Sequence, residues 1–286
     1  MSKKEKISKP EDRQISQEET IIQKRVDVLS YLVRTYDGLT QLLVKTQNRI
    51  HALSGKPNPK HDAMIIEMQS TKGKIARQIE KDLDDYAIWK DWLKNVPGIG
   101  PWIGAKLILK YYYKNVPICI DCHGVLVKED GNFICSACGH DSKGDGTLTF
   151  RMDDRDFSNI SKWWKFMGRH VVDGAVPKRK ANQLSDWSQE GRLVGFHIGE
   201  SFNKQSEDHL YKAFMLSRKK KQAAKHPEWS KGHVHNAAKN EAIKLFLAHF
   251  WIVARMMDDK PVTEPYAGTI LGHTGMIDPY YYDEAV

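Results

Sequence analysis

Residues Trp92–Tyr113 read W-L-K-N-V-P-G-I-G-P-W-I-G-A-K-L-I-L-K-Y-Y-Y, and the rest of the chain can be placed around them. A short amphipathic helix is expected to end near Asn95, and Val96-Pro-Gly-Ile-Gly100 then makes a tight turn. Pro101 stands where a helix accepts it, at the first position, and Trp102–Tyr113 continues with apolar periodicity. This is the helix-hairpin-helix pattern, with Gly104 or Ala105 as the small residue for close packing. Two glycines let the backbone approach a phosphate with no Cβ in the way. The unpaired amides at the following helix start, with the helix dipole, suit an anion. Such contacts position nucleic acid without reading its sequence, so Gly98, Gly100, Trp102 and Lys106 are candidate nucleic-acid contacts. The competing expectation is a glycine turn that only joins two helices.

Charge supports the first reading. The chain has 286 residues, 44 Lys and Arg against 36 Asp and Glu, and a net charge of +8. Lys162 to Lys260 alone carry 19 basic and 10 acidic residues, a surplus of nine, so the remainder is close to neutral. A positive field gathered in one half fits a phosphate backbone. Lys178, Arg179 and Lys180, and the run Arg218-Lys219-Lys220-Lys221, are the candidates there; a solvated lysine-rich helix face is the plainer alternative. No stretch approaches the roughly 18 apolar residues of a membrane span. Met1-Ser-Lys-Lys-Glu-Lys lacks a signal-peptide core, so a cytoplasmic, nucleic-acid-associated protein is expected, with no membrane partner.

Upstream, residues 1–16 are charged and almost without large apolar groups, which predicts disorder. Ile22, Leu29, Tyr36, Leu43 and Ile50 then recur every seven residues, with Val26 and Val33 between them. That seam predicts a coiled coil or helical hairpin, weakened at Gly38 and interrupted by Thr40 and Gln47. Gly55-Lys-Pro-Asn-Pro59 is a turn, and Ile65, Met68, Ile75, Ile79 and Leu83 mark a second helix running toward Trp89. Two antiparallel helices are the natural solution; the seam could instead close on a second copy, giving a homodimer.

Downstream come Cys119-Ile-Asp-Cys122, twelve further residues, and Cys135-Ser-Ala-Cys138, which together hold all four cysteines. Two C-x-x-C knuckles can wrap one ion with four thiolates, and the arms Val125–Lys128 and Asn132–Cys135 read as a small hairpin around Glu129-Asp-Gly. A disulfide pair fits an intracellular chain poorly. The expectation is structural Zn(2+) on Cys119, Cys122, Cys135 and Cys138, since four thiolates leave no open catalytic position. His123 and His140 are substitute ligands or, better, hydrogen-bonding neighbours of the site.

Beyond the knuckles, Thr147–Arg151 reads as a short strand and Asp156–Met167 as a helix ended by Gly168. A basic loop follows from Arg169, with His170 and Asp173 as an acid–base pair or plain surface residues. Gly191–Phe202 and Asp208–Lys225 are predicted helices, and Gly232–His235 opens a last, core helix. His233 and His235 are two apart and make a poor metal pair; His249 reads as packed or capping. The tail from Pro261 is expected to be irregular.

Taken in order, four blocks between Val96 and Met257 resemble the C-terminal domain of the bridge-RNA-guided insertion-sequence transposases. The blocks are Val96–Ala105, Phe157–Gly168, Gly191–Ser201 and Ala242–Trp251. That family joins a RuvC-like DEDD domain, a coiled coil and a serine-bearing helix-hairpin-helix domain that acts with a structured RNA. Residues 20–93 stand where its coiled coil would be. Two departures qualify the resemblance. Nothing before residue 96 offers strands with spaced acidic residues, and the segment Gly174–Ser185 lacks the family's Ser-Gly. Ser185 and Ser188 are the nearest hydroxyls, and neither is assigned as nucleophile. The zinc knuckles are an insertion. What the resemblance implies is DNA or structured-RNA binding, in recombination or in mobile-element or phage biology, without catalytic residues on this chain. The alternatives are a transposase or recombinase whose partner supplies the acidic domain, or a helix-hairpin-helix base-excision glycosylase with Asp121 at the catalytic distance.

The expected fold is therefore mainly α: a disordered tail (1–16), a helical hairpin or coiled coil (17–93), a helix-hairpin-helix (94–116), an inserted zinc ribbon (117–150), a basic helical region (151–260) and an irregular tail (261–286).

Overall fold

A computed structural model describes residues 17–53, 62–129, 132–142, 148–172, 176–180, 185–262 and 277–280. The expected disorder at 1–16, the turn at 55–59, the tip of the ribbon hairpin, Asp173 and most of the C-terminal tail lie outside these residues. The described chain is mainly helical, with a small β region inserted between its fourth and fifth helices. None of the described helices is long and apolar enough to cross a membrane.

Helix α1 (Gln17–Ala52) and α2 (Ala63–Leu83) pack along each other in opposite directions. Ile50 meets Ile65 at one end, while Leu29 and Val33 share a cluster with Ile79 and Leu83 at the other. The heptad positions Leu29, Leu43 and Ile50 are buried and Tyr36 half-buried, but Ile22 is 44% exposed, because α2 ends before reaching it. Asp62 starts α2 by accepting a hydrogen bond from the Ile65 amide at 3.2 Å.

The second helix does not run on to Trp89. It stops at Leu83, and a separate short helix α3 (Ala87–Asp91) and a 3₁₀ turn (Leu93–Asn95) follow. The break turns Trp89, Trp92 and Leu93 inward together, all at most 1% exposed. Val96–Gly100 then leads into α4 (Pro101–Tyr112) with Pro101 at the first turn, as expected. Its middle is buried on nearly every side, from Ile103 to Ile108.

Helix α4 ends one residue short of the expected Tyr113, and the chain becomes strand β1 (Tyr113–Ile118), which the sequence reading did not include. It pairs antiparallel with β4 (Thr149–Asp154), from Tyr113 opposite Asp154 to Ile118 opposite Thr149. This two-stranded stalk carries β2 (Leu126–Glu129) and β3 (Asn132–Cys135), which form the expected hairpin with the first arm one residue later, so that Glu129 is a strand residue opposite Asn132 rather than part of the turn. Cys119, Leu126 and Cys135 form its own small core, with Phe133 and Leu148 packed against them.

The remaining helices are α5 (Ile160–Phe166), α6 (Gln189–Asn203), α7 (Leu210–Lys225) and α8 (Lys231–Met257). Helix α5 is shorter than predicted at its start: Asn159 accepts from the Lys162 amide at 3.0 Å and delays it, freeing Phe157 to turn into the core. Ser188 and Ser230 cap α6 and α8 in the same way. Helix α8 is the buried axis. Trp92 stacks on Phe246 with centroids 5.7 Å apart, and Tyr111, Phe157, Trp163 and Phe250 gather around the other flank. One apolar cluster runs from Leu29 through Trp92 and Ile108 to Ala254, so the core crosses the expected boundary at residue 93 without interruption.

Candidate metal centre and basic face

The two knuckles repeat one backbone design sixteen residues apart. The Cys119 amide donates to the Gly124 carbonyl at 2.8 Å, and the Cys135 amide to the His140 carbonyl at 2.8 Å. The His123 amide returns to Cys119 O, and the Gly139 amide to Cys135 O, both at 3.0 Å. Each loop needs a left-handed residue after its second cysteine; Gly139 supplies it at φ +75°, and His123 takes the same role at φ +56°. His123 thus shapes a turn.

The four sulfurs lie within 4.8 Å of one another. Cys122 Sγ is 3.3 Å from Cys138 Sγ and 3.4 Å from Cys135 Sγ, and Cys119 Sγ is 3.7 Å from Cys138 Sγ. Four thiolates about 2.3 Å from a central ion would stand about 3.8 Å apart, so the cluster is close to the size a metal needs. The Cys138 backbone amide, with that of Ala137, lowers the Cys135 thiol to about 6 against its burial, whereas the Cys122 and Cys138 thiols are raised. Gly124 completes the fit: a Cβ there would come within 3.0 Å of Cys135 Sγ and 3.3 Å of Cys122 Sγ. His140 Nδ1 lies 3.0 Å from Asp121 Oδ2, tying the two knuckles together outside the sulfurs. Asp121, the alternative catalytic carboxylate, is therefore engaged in holding the knuckles together.

The glycine corner divides into two unlike halves. Gly98 adopts φ +89°, and a Cβ on it would lie 2.7 Å from Ser201 Oγ and 2.9 Å from Gln205 Nε2. Ser201 Oγ also donates to the Gly98 carbonyl at 2.6 Å. That glycine is needed for packing against α6. Gly100 is different: it is exposed, has open space where a Cβ would be, and precedes α4 with no side chain capping its amides.

Trp102 and Lys106 are also placed differently from the expectation of free contacts. Lys106 is 3% exposed, with Nζ at 2.5 Å from Asp37 Oδ2 and 3.1 Å from Glu190 Oε1. Trp102 Nε1 donates to Asp37 Oδ1 at 2.7 Å, and the Trp102 ring meets His197 edge-on. Together they clamp α4 to α1, and Lys106 is correspondingly withdrawn from an external phosphate. The deciding partner, Asp37, lies 65 residues before Trp102 and gives no local signal.

The other basic candidates stay on the surface. Lys178, Arg179 and Lys180 are exposed, as are Lys219, Lys220 and Lys221 on α7. Arg218 is half-buried, paired with Glu241 at 3.1 Å and lying over the Phe214 ring. Sequence reasoning missed a further group on α6–α8: exposed Lys204, with Lys212 and Lys239 beside His235. The His235 imidazole is pushed below its ordinary value by burial and then by the charges of Lys239 and Lys219, with Glu200 opposing them, and Lys212 Nζ donates to the Asn203 carbonyl at 2.6 Å. Lys239 is held by Glu200 at 2.6 Å. Of the two serines, Ser188 caps α6, and Ser185 Oγ donates to the Trp187 carbonyl at 3.2 Å.

No protein-family model, curated protein or solved structure matches this chain.

Proposed function

We propose that this protein binds nucleic acid through the phosphate backbone, and that it derives from the transposases its four sequence blocks resemble. The observation that carries the reading is a juxtaposition. The turn before the uncapped start of α4 is fastened to α6, where Ser201 Oγ donates to the Gly98 carbonyl, and exposed Lys204 stands at the end of that same helix one turn later. Open helix-start amides, with exposed lysines on the neighbouring helices, suit a sugar-phosphate chain and ask nothing of base identity. On this reading the ion between the knuckles is zinc, and it is structural: Cys119, Cys122, Cys135 and Cys138 hold it and fix the ribbon.

The test is anisotropy of labelled DNA duplex, single strand and structured RNA against rising salt. Affinity for at least one of them should fall steeply. The slope should lose up to about 0.9 for each phosphate contact removed from a duplex by Lys219→Gln, Lys220→Gln and Lys221→Gln together. Absence of binding, or binding indifferent to both salt and these substitutions, would overturn the proposal.

A further inference from the structure

A cavity of about 340 Å³ opens between α1, α4, the base of the stalk and the start of α6. Five cations line it, Arg34, Lys106, Lys110, Lys114 and Arg155, against one carboxylate, Glu190. Asp37 holds Lys106 as well, which still leaves a surplus of three positive charges. The floor is sheltered: the Lys106 and Lys110 side chains are 4% and 15% exposed. Glu190 bridges them, at 3.1 Å and 2.6 Å.

Arg155 is the unusual member. It donates to the Lys110 carbonyl at 2.9 Å and lies over the Phe166 ring at 4.4 Å, yet meets no carboxylate among the described residues. Arg34 and Lys114 stand exposed at the mouth, likewise with no acidic partner among those residues. Asp153 faces Lys114 across the β1–β4 ladder but is taken by Arg151 at 2.6 Å. Burial pushes both the Lys110 ammonium and the Arg155 guanidinium below their ordinary values. The two sheltered lysines already have carboxylate partners, so the uncompensated charge sits on half-buried Arg155 and exposed Arg34 and Lys114, where an entering anion would gain most. The volume is at the small end of the roughly 300–1,000 Å³ of small-molecule sites, and the lining is far more charged than such sites usually are.

The sheltered, cation-rich lining suits a small, multiply charged anionic group rather than an apolar ligand. We propose that this cavity binds a terminal phosphate, a phosphomonoester or short polyphosphate, carried either by the end of a nucleic-acid strand or by a free nucleotide. Only the strand-end source rests on the nucleic-acid reading above. Arg155 and Lys110 would meet the phosphate at the floor and Arg34 and Lys114 at the mouth, while Glu190 competes for Lys110.

Calorimetry with inorganic pyrophosphate tests the cavity itself. Saturable binding to the full chain is expected, weakened about tenfold or more by Arg34→Gln with Lys114→Gln, both surface changes. Glu190→Gln should strengthen it. The charge-matched control Lys45→Gln with Arg49→Gln lies about 16 Å and more beyond Arg34 along α1 and should leave affinity unchanged. Oligonucleotides with a 5′-phosphate or 5′-hydroxyl identify the source. A preference for the 5′-phosphate that is lost in Arg34→Gln/Lys114→Gln assigns a strand end. Pyrophosphate binding without that preference assigns a free nucleotide. No saturable binding at millimolar pyrophosphate, or equal weakening by the control pair, overturns the cavity. Salt-dependent DNA or RNA binding that survived such a failure would leave the backbone reading standing by itself.

Discussion

Alanine at Gly98 and alanine at Gly100 are two substitutions in one turn, and the structure gives them opposite expectations. At Gly98 the backbone sits at φ +89°, where an L side chain costs about 1–2 kcal/mol. The new Cβ would also press on Ser201 Oγ from 2.7 Å, and Gln205 from 2.9 Å. Gln205 can swing its amide aside, but Ser201 cannot rotate without giving up its hydrogen bond to the Gly98 carbonyl, worth about 1 kcal/mol. Gly98→Ala should therefore cost about 2–3 kcal/mol in urea unfolding. Ser201→Ala alone should cost about 1 kcal/mol, and the double variant should fall short of the sum by about 1 kcal/mol, because the collision is gone. Gly100→Ala meets nothing within 4 Å and should leave stability within about 0.5 kcal/mol of the parent. Its added methyl beside the open amides should instead weaken DNA or RNA affinity. A stable Gly98→Ala, or strict additivity with Ser201→Ala, would refute the packing argument; an unfolded Gly100→Ala would refute the claim of open space.

Three further outcomes are expected. Burial holds the His249 imidazole near 4, below its ordinary 6.5, with Nδ1 on Tyr211 Oη and Nε2 on the Ile277 carbonyl. Between those values the unfolded chain takes up a proton that the fold refuses, so stability should fall as pH drops from about 6.5 to about 4, by roughly 3 kcal/mol, and recover above that window. In His249→Gln the same titration should be flatter by about that amount; an unchanged profile would assign the acid sensitivity elsewhere. Lys106→Met should cost about 2–3 kcal/mol in chemical denaturation by leaving Asp37 without its cation, and Asp37→Ala added to it should cost less than it does alone. Metal analysis should find one zinc per chain, lost in Cys135→Ser together with protease resistance across residues 113–154, while the far-ultraviolet helical signal persists. Metal content unaltered by that substitution would remove the assignment.

What could be read from the sequence was whatever local spacing encodes. The apolar positions Leu29, Leu43 and Ile50 face Ile65, Ile79 and Leu83, because burial of a seam follows directly from its period. The knuckles and the β2–β3 arms are equally local, with both cysteine pairs and the hairpin set within twenty residues, although the pairing begins at Glu129, which reads as turn. The stalk was hidden because Tyr111-Tyr112-Tyr113 continues the apolar pattern of α4, while the partner strand that converts Tyr113 to β lies about forty residues on. The roles of Lys106 and Trp102 were hidden for the same reason, since their carboxylate comes from α1. The left-handed turn at His123 could be recognised only by laying one knuckle over the other, as histidine gives no warning of a positive φ.

The stalk has a consequence for how such a chain can change. Tyr113 and Asp154 face each other across its lowest rung, and the Arg155 amide bonds back to the Tyr112 carbonyl at 2.6 Å. The backbone therefore departs from and rejoins the helical body at nearly one point. A cassette attached in this way can be lengthened, swapped or cut out over evolutionary time without rethreading α4 or α5, so variants of this architecture could differ widely in metal content and reach while keeping the same helices underneath.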